Sequence, residues 1–192
     1  MITTTHAILN TALLGRKKHP ERNWPIILGS IFPDIPMILF ALLMVFTHGR
    51  FHAPGKAGFV SEYHFRELWV DWGHSIPLAV AGMLICLLFK TNWGLYFFSA
   101  MGLHDLEDLP VHAEYAHRHF LPFSNWWFSS PISYSDPKYH ANIVAPLEWL
   151  IVLVCIGILW RRGISSWVQA LLLFIGVFQG LWLLFEYAGI RW

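Results

Sequence analysis

Charge is what this chain has least of. Only 13% of its 192 residues are Asp, Glu, Lys or Arg, against roughly 25% in an ordinary soluble domain. With 56% hydrophobic residues, so little charge excludes a surface that stays dissolved by itself, and the composition predicts one compact integral membrane domain over residues 1–192. Long Lys/Arg runs are also missing and the formal net charge is +1, which excludes the electrostatic footprint of a nucleic-acid binder. Cysteine is scarce. Cys86 and Cys155 each sit inside an apolar run, so there is no disulfide framework and no CxxC motif, only two buried small hydrophobes. A secretory leader is absent as well: in MITTTHAILNTALLGRKK the basic residues follow the apolar stretch, and Ala7–Leu14 is too short to span. Thr5 is placed to cap a short helix from His6 to Leu14, at the interface or dipping partly into the membrane.

What is present is apolar sequence in lengths near the roughly 20 residues of a membrane span. Pro25–Phe46, Leu68–Phe89, Ile143–Trp160 and Trp167–Phe185 qualify, and Trp93–Leu109 is apolar until its last turns. An all-α bundle of about five spans with a short N-terminal helix follows. Lys90-Thr91-Asn92 and Arg161-Arg162-Gly163 read as tight turns closing two helical hairpins. The connection 110–142 is rich in Pro and aromatics, and Trp126-Trp127-Phe128 suits the headgroup layer. Its 121–139 stretch is also the place where a protein partner would dock. Arg16, Lys17, Lys18, Arg22, Lys90, Arg161 and Arg162 gather on one side when the N-terminus is cytoplasmic, the orientation the positive-inside rule favours.

Ionisable residues recur inside these spans, where each costs on the order of 2.5–3.5 kcal/mol at the bilayer centre and marks function by default. Asp34 lies between Pro33 and Pro36, which bend the helix and make the aspartate part of a cavity wall. His74 opens the second span, and Glu148 stands near the start of the fourth. The third ends in GLHDLEDLPVHAEYAHRHF, Gly102–Phe120, with four histidines and four carboxylates. His104 and Asp108, four apart, share a helix face and offer a cation one nitrogen and one oxygen. Glu107 is placed to orient an imidazole from behind, and Pro110 starts a new turn that carries His112 onward. The plain readings stand beside these. His19, His48, His52 and His64 read as interfacial or hydrogen-bonded, and Asp34 as a cap on a half-helix. His117 and His119 read equally as a solvated face or as partners of the long loop, and His104 with Asp108 as a metal-free pair.

With these residues the chain resembles the small bacterial membrane-bound metal-dependent hydrolases of the YdjM-like family. His6, Pro33-Asp34, His74-Ser75 and the run Leu103–Asp108 carry the likeness over roughly the first 110 residues. The chain departs at Pro33–Pro36, where the family often has a second acid, and before His74, where it often has another histidine. That family is in turn similar to zinc-dependent phospholipase C and the single-strand nucleases. Their order of site residues implies His6, His74, His104 with Asp108, His112, then His140 and Glu148 as metal ligands, with Asp34 in the place of the aspartate that acts on the water. His140 and Glu148 are eight apart where that pattern has four.

The reading that results is a hydrolase embedded in the bacterial inner membrane, with a polynuclear zinc site (manganese second). His74, His104 and Asp108 hold one ion; His112, His140 and Glu148 hold another; His6 joins only if its helix dips into the bilayer. Asp34 is expected to orient or deprotonate a water whose pKa the metal lowers toward 7, and paired ions suit phosphoester chemistry on a lipid or lipid-linked substrate. The competing class is a non-enzymatic metal-binding membrane subunit or an ion or proton path. The sequence does not specify oligomeric state.

Overall fold

The computed structural model describes residues 1–48, 69–113, 116–163 and 166–187. Its regular structure is helical: α1 Thr3–Leu14, α2 Asn23–Ile31, α3 Ile35–His48, α4 Ile76–Leu88, α5 Asn92–Asp108, α6 Ala141–Arg161 and α7 Ser166–Tyr187. No strand occurs among the described residues, as the all-α expectation requires. Two helical stretches there, Pro20–Thr47 and Ala141–Arg161, are long and apolar enough to cross a membrane. The second expected span is shorter than the sequence suggested, since α4 holds only 13 residues. His52 and His64 lie outside the described residues.

Local chemistry explains the breaks. Pro33 and Pro36 each lack the amide proton that a continuous α-helix needs, and the chain answers with a 3-10 turn at Phe32–Asp34 between α2 and α3. Both expected hairpins form. Lys90, at φ 55°, turns α4 into α5, and Gly163, at φ 68°, closes α6, a left-handed conformation that glycine adopts at no steric cost. Thr5 does not cap α1; the helix begins at Thr3 with Ile2 in the cap position, and no side chain serves there. Thr5 is buried and spends its hydroxyl on Glu148.

α1 is the element around which the rest is arranged. One face packs Ile8 and Ala12 against Val152, Cys155, Ile156 and Leu159 of α6. The other carries Asn10, whose amide donates to Ser30 Oγ (3.0 Å) and the Ala100 carbonyl (3.2 Å), tying α1 to α2 and α5. At Gly29 the backbones of α2 and α5 meet so closely that a Cβ would run into the Phe97 carbonyl. That approach brings the C-terminal ends of α2 and α5 to the N-terminal end of α1. Cys86 and Cys155 are free and buried, as expected.

Candidate metal centre

Six histidines are buried among the described residues: His6, His74, His104, His112, His117 and His119. Four elements deliver three of them with Asp34 and Asp108, and the connection after α5 delivers His112, His117 and His119. His6 comes from the first turns of α1, Asp34 from the 3-10 turn, His104 and Asp108 from the last turns of α5, and His74 from the bend after the helical turn Asp71–Gly73. That turn seats directly on the Pro33 turn. A Cβ on Gly73 would stand 3.1 Å from the Pro33 carbonyl oxygen, so glycine lets His74 approach Asp34.

Hydrogen bonds fix the imidazoles. His104 Nδ1 lies 2.7 Å from the Ser30 carbonyl and His74 Nδ1 2.8 Å from that of Val70. A carbonyl only accepts, so each Nδ1 carries the proton and each Nε2 turns a lone pair inward. The two Nε2 atoms stand 3.3 Å apart. Two facing lone pairs repel unless a cation, proton or metal, lies between them. Around the same point, Asp108 Oδ2 is 3.2 Å from His104 Nε2 and 3.8 Å from His74 Nε2. Asp34 Oδ1 is 3.6 Å from His74 Nε2 and 3.9 Å from His104 Nε2. Ligands about 2.0–2.1 Å from a tetrahedral zinc stand about 3.3–3.4 Å from one another, so His74 Nε2, His104 Nε2 and Asp108 Oδ2 can close on one ion with shifts of a few tenths of an ångström, Asp34 standing beside them.

The other oxygen of Asp108 serves a second group. Its Oδ1 is 3.0 Å from His6 Nε2 and 3.2 Å from His112 Nε2, and it contacts the Met1 amine. His6 Nδ1 in turn bonds Glu107 Oε2 at 2.7 Å, the carboxylate–histidine pairing that raises ligand basicity. Among the described residues, the triads His6–His104–Asp108, Asp34–His74–His104 and His74–Asp108–His117 also have ligand atoms within 4.8 Å of one another. Burial holds His112 below its usual pKa and, as the largest influence, takes His119 down to about 4. Both are therefore neutral near pH 7, the form that ligates.

Most of the expected ligands converge, and two do not. His140 is exposed, in a left-handed conformation just before α6, and belongs to none of the triads. Glu148 is buried, but its Oε1 accepts from the Ile2 amide (2.8 Å) and Thr5 Oγ1 (2.6 Å) and so anchors the start of α1. His6 reaches the centre because α1 runs inward from its basic end. Glu107 does orient an imidazole, that of His6. Asp34, open at 15% of its side chain, accepts from Thr3 Oγ1 at 2.6 Å.

Sequence reasoning missed four contributors. His117 stacks on His74 with centroids 3.8 Å apart, and His119 donates from Nδ1 to the His74 carbonyl. Their spacing of two in a non-helical run, which puts alternate side chains on one side, was the available signal. Asp71 sits 3.5 Å from His117 Nδ1 and accepts from Arg118 Nε at 2.7 Å. Asp105 is fully buried, and among the described residues neither carboxylate oxygen has a hydrogen-bond partner; its place beside His104 was visible, but the four-residue spacing pointed past it. No family model matches the chain, and no curated protein or solved structure matches it.

Proposed function

We propose that this chain is a membrane-embedded metal-dependent hydrolase acting on a phosphoester of a lipid or lipid-linked substrate. The observation that carries the reading is Asp108. One of its oxygens faces His74 and His104 and the other faces His6 and His112, the arrangement that lets a single carboxylate serve two cations. Zinc suits this nitrogen-rich, oxygen-completed set, and manganese is the next candidate. A pair of such ions supplies Lewis acidity and lowers the pKa of a water toward 7.

The chain's own residues do the rest. His74 and His104, held by backbone carbonyls, keep their lone pairs aimed without rearrangement. Glu107 holds the His6 ring. Asp34, the most open of the carboxylates around the centre and half engaged by Thr3, is the base that receives a proton at its free oxygen.

Membrane placement is supported by the inverted distribution of polarity. Large apolar side chains stand exposed over α3, α4 and α7, among them Phe46 (85%), Leu88 (80%) and Phe174 (68%), while histidines and carboxylates fill the centre. Soluble monomers rarely expose contiguous apolar patches beyond a few hundred Å². On this reading the five apolar segments cross or enter the bilayer, the basic turns face the cytoplasm, and α1 is re-entrant. The chain's first residues then lie within the bundle, the dip into the bilayer that His6 needs to join the site.

A second reading is favoured by the closure of the centre. His6, His74 and His104 are all 0% exposed, as in structural sites whose coordination is complete, and a non-enzymatic metal-binding subunit would look the same. Metal content of detergent-purified protein, wild type beside His104→Ala, tests the common premise. Near-stoichiometric zinc or manganese that is lost in the variant supports the centre. A metal-free wild type prepared without chelators sinks both readings. Hydrolysis of phosphoester substrates by the metal-loaded wild type then separates enzyme from subunit.

A further inference from the structure

The basic stretch Arg16-Lys17-Lys18 has no part in the metal centre, yet the fold builds it into a cleft. The cleft, of about 530 Å³, lies where α1 ends, α2 begins and α5 passes, with Arg16, Lys17, Lys18 and Arg22 around it and Leu13 and Tyr96 in its wall. At 1.5 Å per residue, His6 to Leu14 along α1 and Tyr96 to His104 along α5 both put the cleft about 12 Å from the histidine cluster. It is a separate site.

Its frame is fixed. The Arg162 guanidinium donates to the Ala12 (2.7 Å) and Gly15 (3.0 Å) carbonyls, securing the end of α1. The chain then closes through His19 N–H to the Arg16 carbonyl and Arg22 N–H to that of His19. Arg22 is held over the Tyr96 ring, 4.9 Å from its centroid. Among the described residues none of the four cations forms an ion pair, and the nearby carboxylate, Glu21, is paired with His19 at 3.1 Å. Four positive charges around one cleft repel one another until an anion enters.

A second feature says which anion. Beginning two residues after Arg22, an exposed stripe runs along α2 and into the turn that follows it: Trp24 (61%), Leu28 (43%) and Phe32 (43%), spaced by four and therefore on one face. Phe97 of α5 flanks it, edge-on to Phe32 at 5.4 Å. A soluble phosphate has no use for such a track; an acyl chain does.

We propose that the cleft binds the phosphate of an anionic phospholipid, with an acyl chain lying along Trp24, Leu28 and Phe32. Basic pockets between membrane helices on the cytoplasmic side take such headgroups, and the phosphodiester meets cations that have no acid of their own. This inference rests on the membrane placement proposed above and not on the metal centre.

The test uses the full chain. Whether detergent is required to release it from membranes is measured first, and release without detergent overturns both the membrane reading and this one. The detergent-released protein is then placed in nanodiscs of phosphatidylcholine mixed with phosphatidylglycerol, and retained lipid is counted by native mass spectrometry. The wild type is expected to retain phosphatidylglycerol preferentially. Arg16→Gln with Lys18→Gln should lower that preference by about fivefold for each cation removed, the usual scale for a basic group at an anionic membrane surface. Lys18→Arg should keep the preference, which separates lost charge from lost fold. Equal retention of the two lipids by the wild type, or an unchanged preference in the double variant, overturns the proposal without touching the membrane reading. Displacement of the lipid by glycerol 3-phosphate at comparable concentration overturns the acyl track and leaves a site for free phosphate.

Discussion

The last turns of α5 and the first turns of α6 offer the same residue types, a histidine followed by an acid, and the fold treats them in opposite ways. His104 and Asp108 are both buried and sit at the middle of the cluster. His140 is left exposed, and Glu148 is buried against the start of α1, where it accepts two hydrogen bonds. Spacing accounts for much of this. Four residues place two side chains on one helix face, whereas eight separate them by about 12 Å along the axis. His140 is moreover not on the helix, since α6 begins one residue later. A histidine and an acid in order along a chain are ligands together only when one element presents them at one level.

The comparison can be broken most severely at Asp108. Asp108→Asn retains the shape but removes the charge that faces four imidazoles, and loss of one partner from a buried charged group costs on the order of 3–5 kcal/mol. Metal analysis should find both ions gone, and thermal unfolding in detergent should show a large drop in stability; retention of one ion would mean that Asp108 does not serve both groups. Glu148 should give a smaller, purely structural effect. Glu148→Ala removes the acceptor of both the buried Thr5 hydroxyl proton and the Ile2 amide, about 1–3 kcal/mol per group, and Glu148→Gln, which keeps an acceptor oxygen, should recover most of it. Unfolding curves of the two variants decide; equal losses would point to charge instead of hydrogen bonding. His140→Ala should do least, leaving metal content at the wild-type level. A fall in metal would return His140 to the ligand set and overturn its exposed placement.

The helical class was legible because apolar runs of helical length alternate with charged turns, and both hairpin turns formed at Lys90 and Gly163 as read. The prolines flanking Asp34 announced the break between α2 and α3. His104 with Asp108 was legible for the same local reason, a spacing that a single helix enforces. Span length was less so. The segment expected from Leu68 to Phe89, described from residue 69, is continuous helix only from Ile76 to Leu88, because the bend at His74 separates it from the helical turn Asp71–Gly73. Thr5 was misread because α1 begins two residues before it, which puts Thr5 inside the helix instead of at its cap, where its hydroxyl donates to Glu148, 143 residues away.

His117, His119 and Asp71 belong to the same class of miss. Each acquires its meaning from a residue on another element: His117 from the ring of His74, His119 from the His74 carbonyl, and Asp71 from Arg118 and His117. The sequence by itself determined the helices, their breaks and turns, and which short stretches hold ionisable groups at a shared spacing, since all of these are set by contacts within a few residues. Only the tertiary structure decided that α1 runs inward to bring His6 to Asp108, that Glu148 anchors it, that His140 stays outside, and that Leu13 and Tyr96 make a cleft beside the basic stretch. Those outcomes depend on which helix ends meet, and helix ends meet where Gly29 and Gly73 allow backbones to touch.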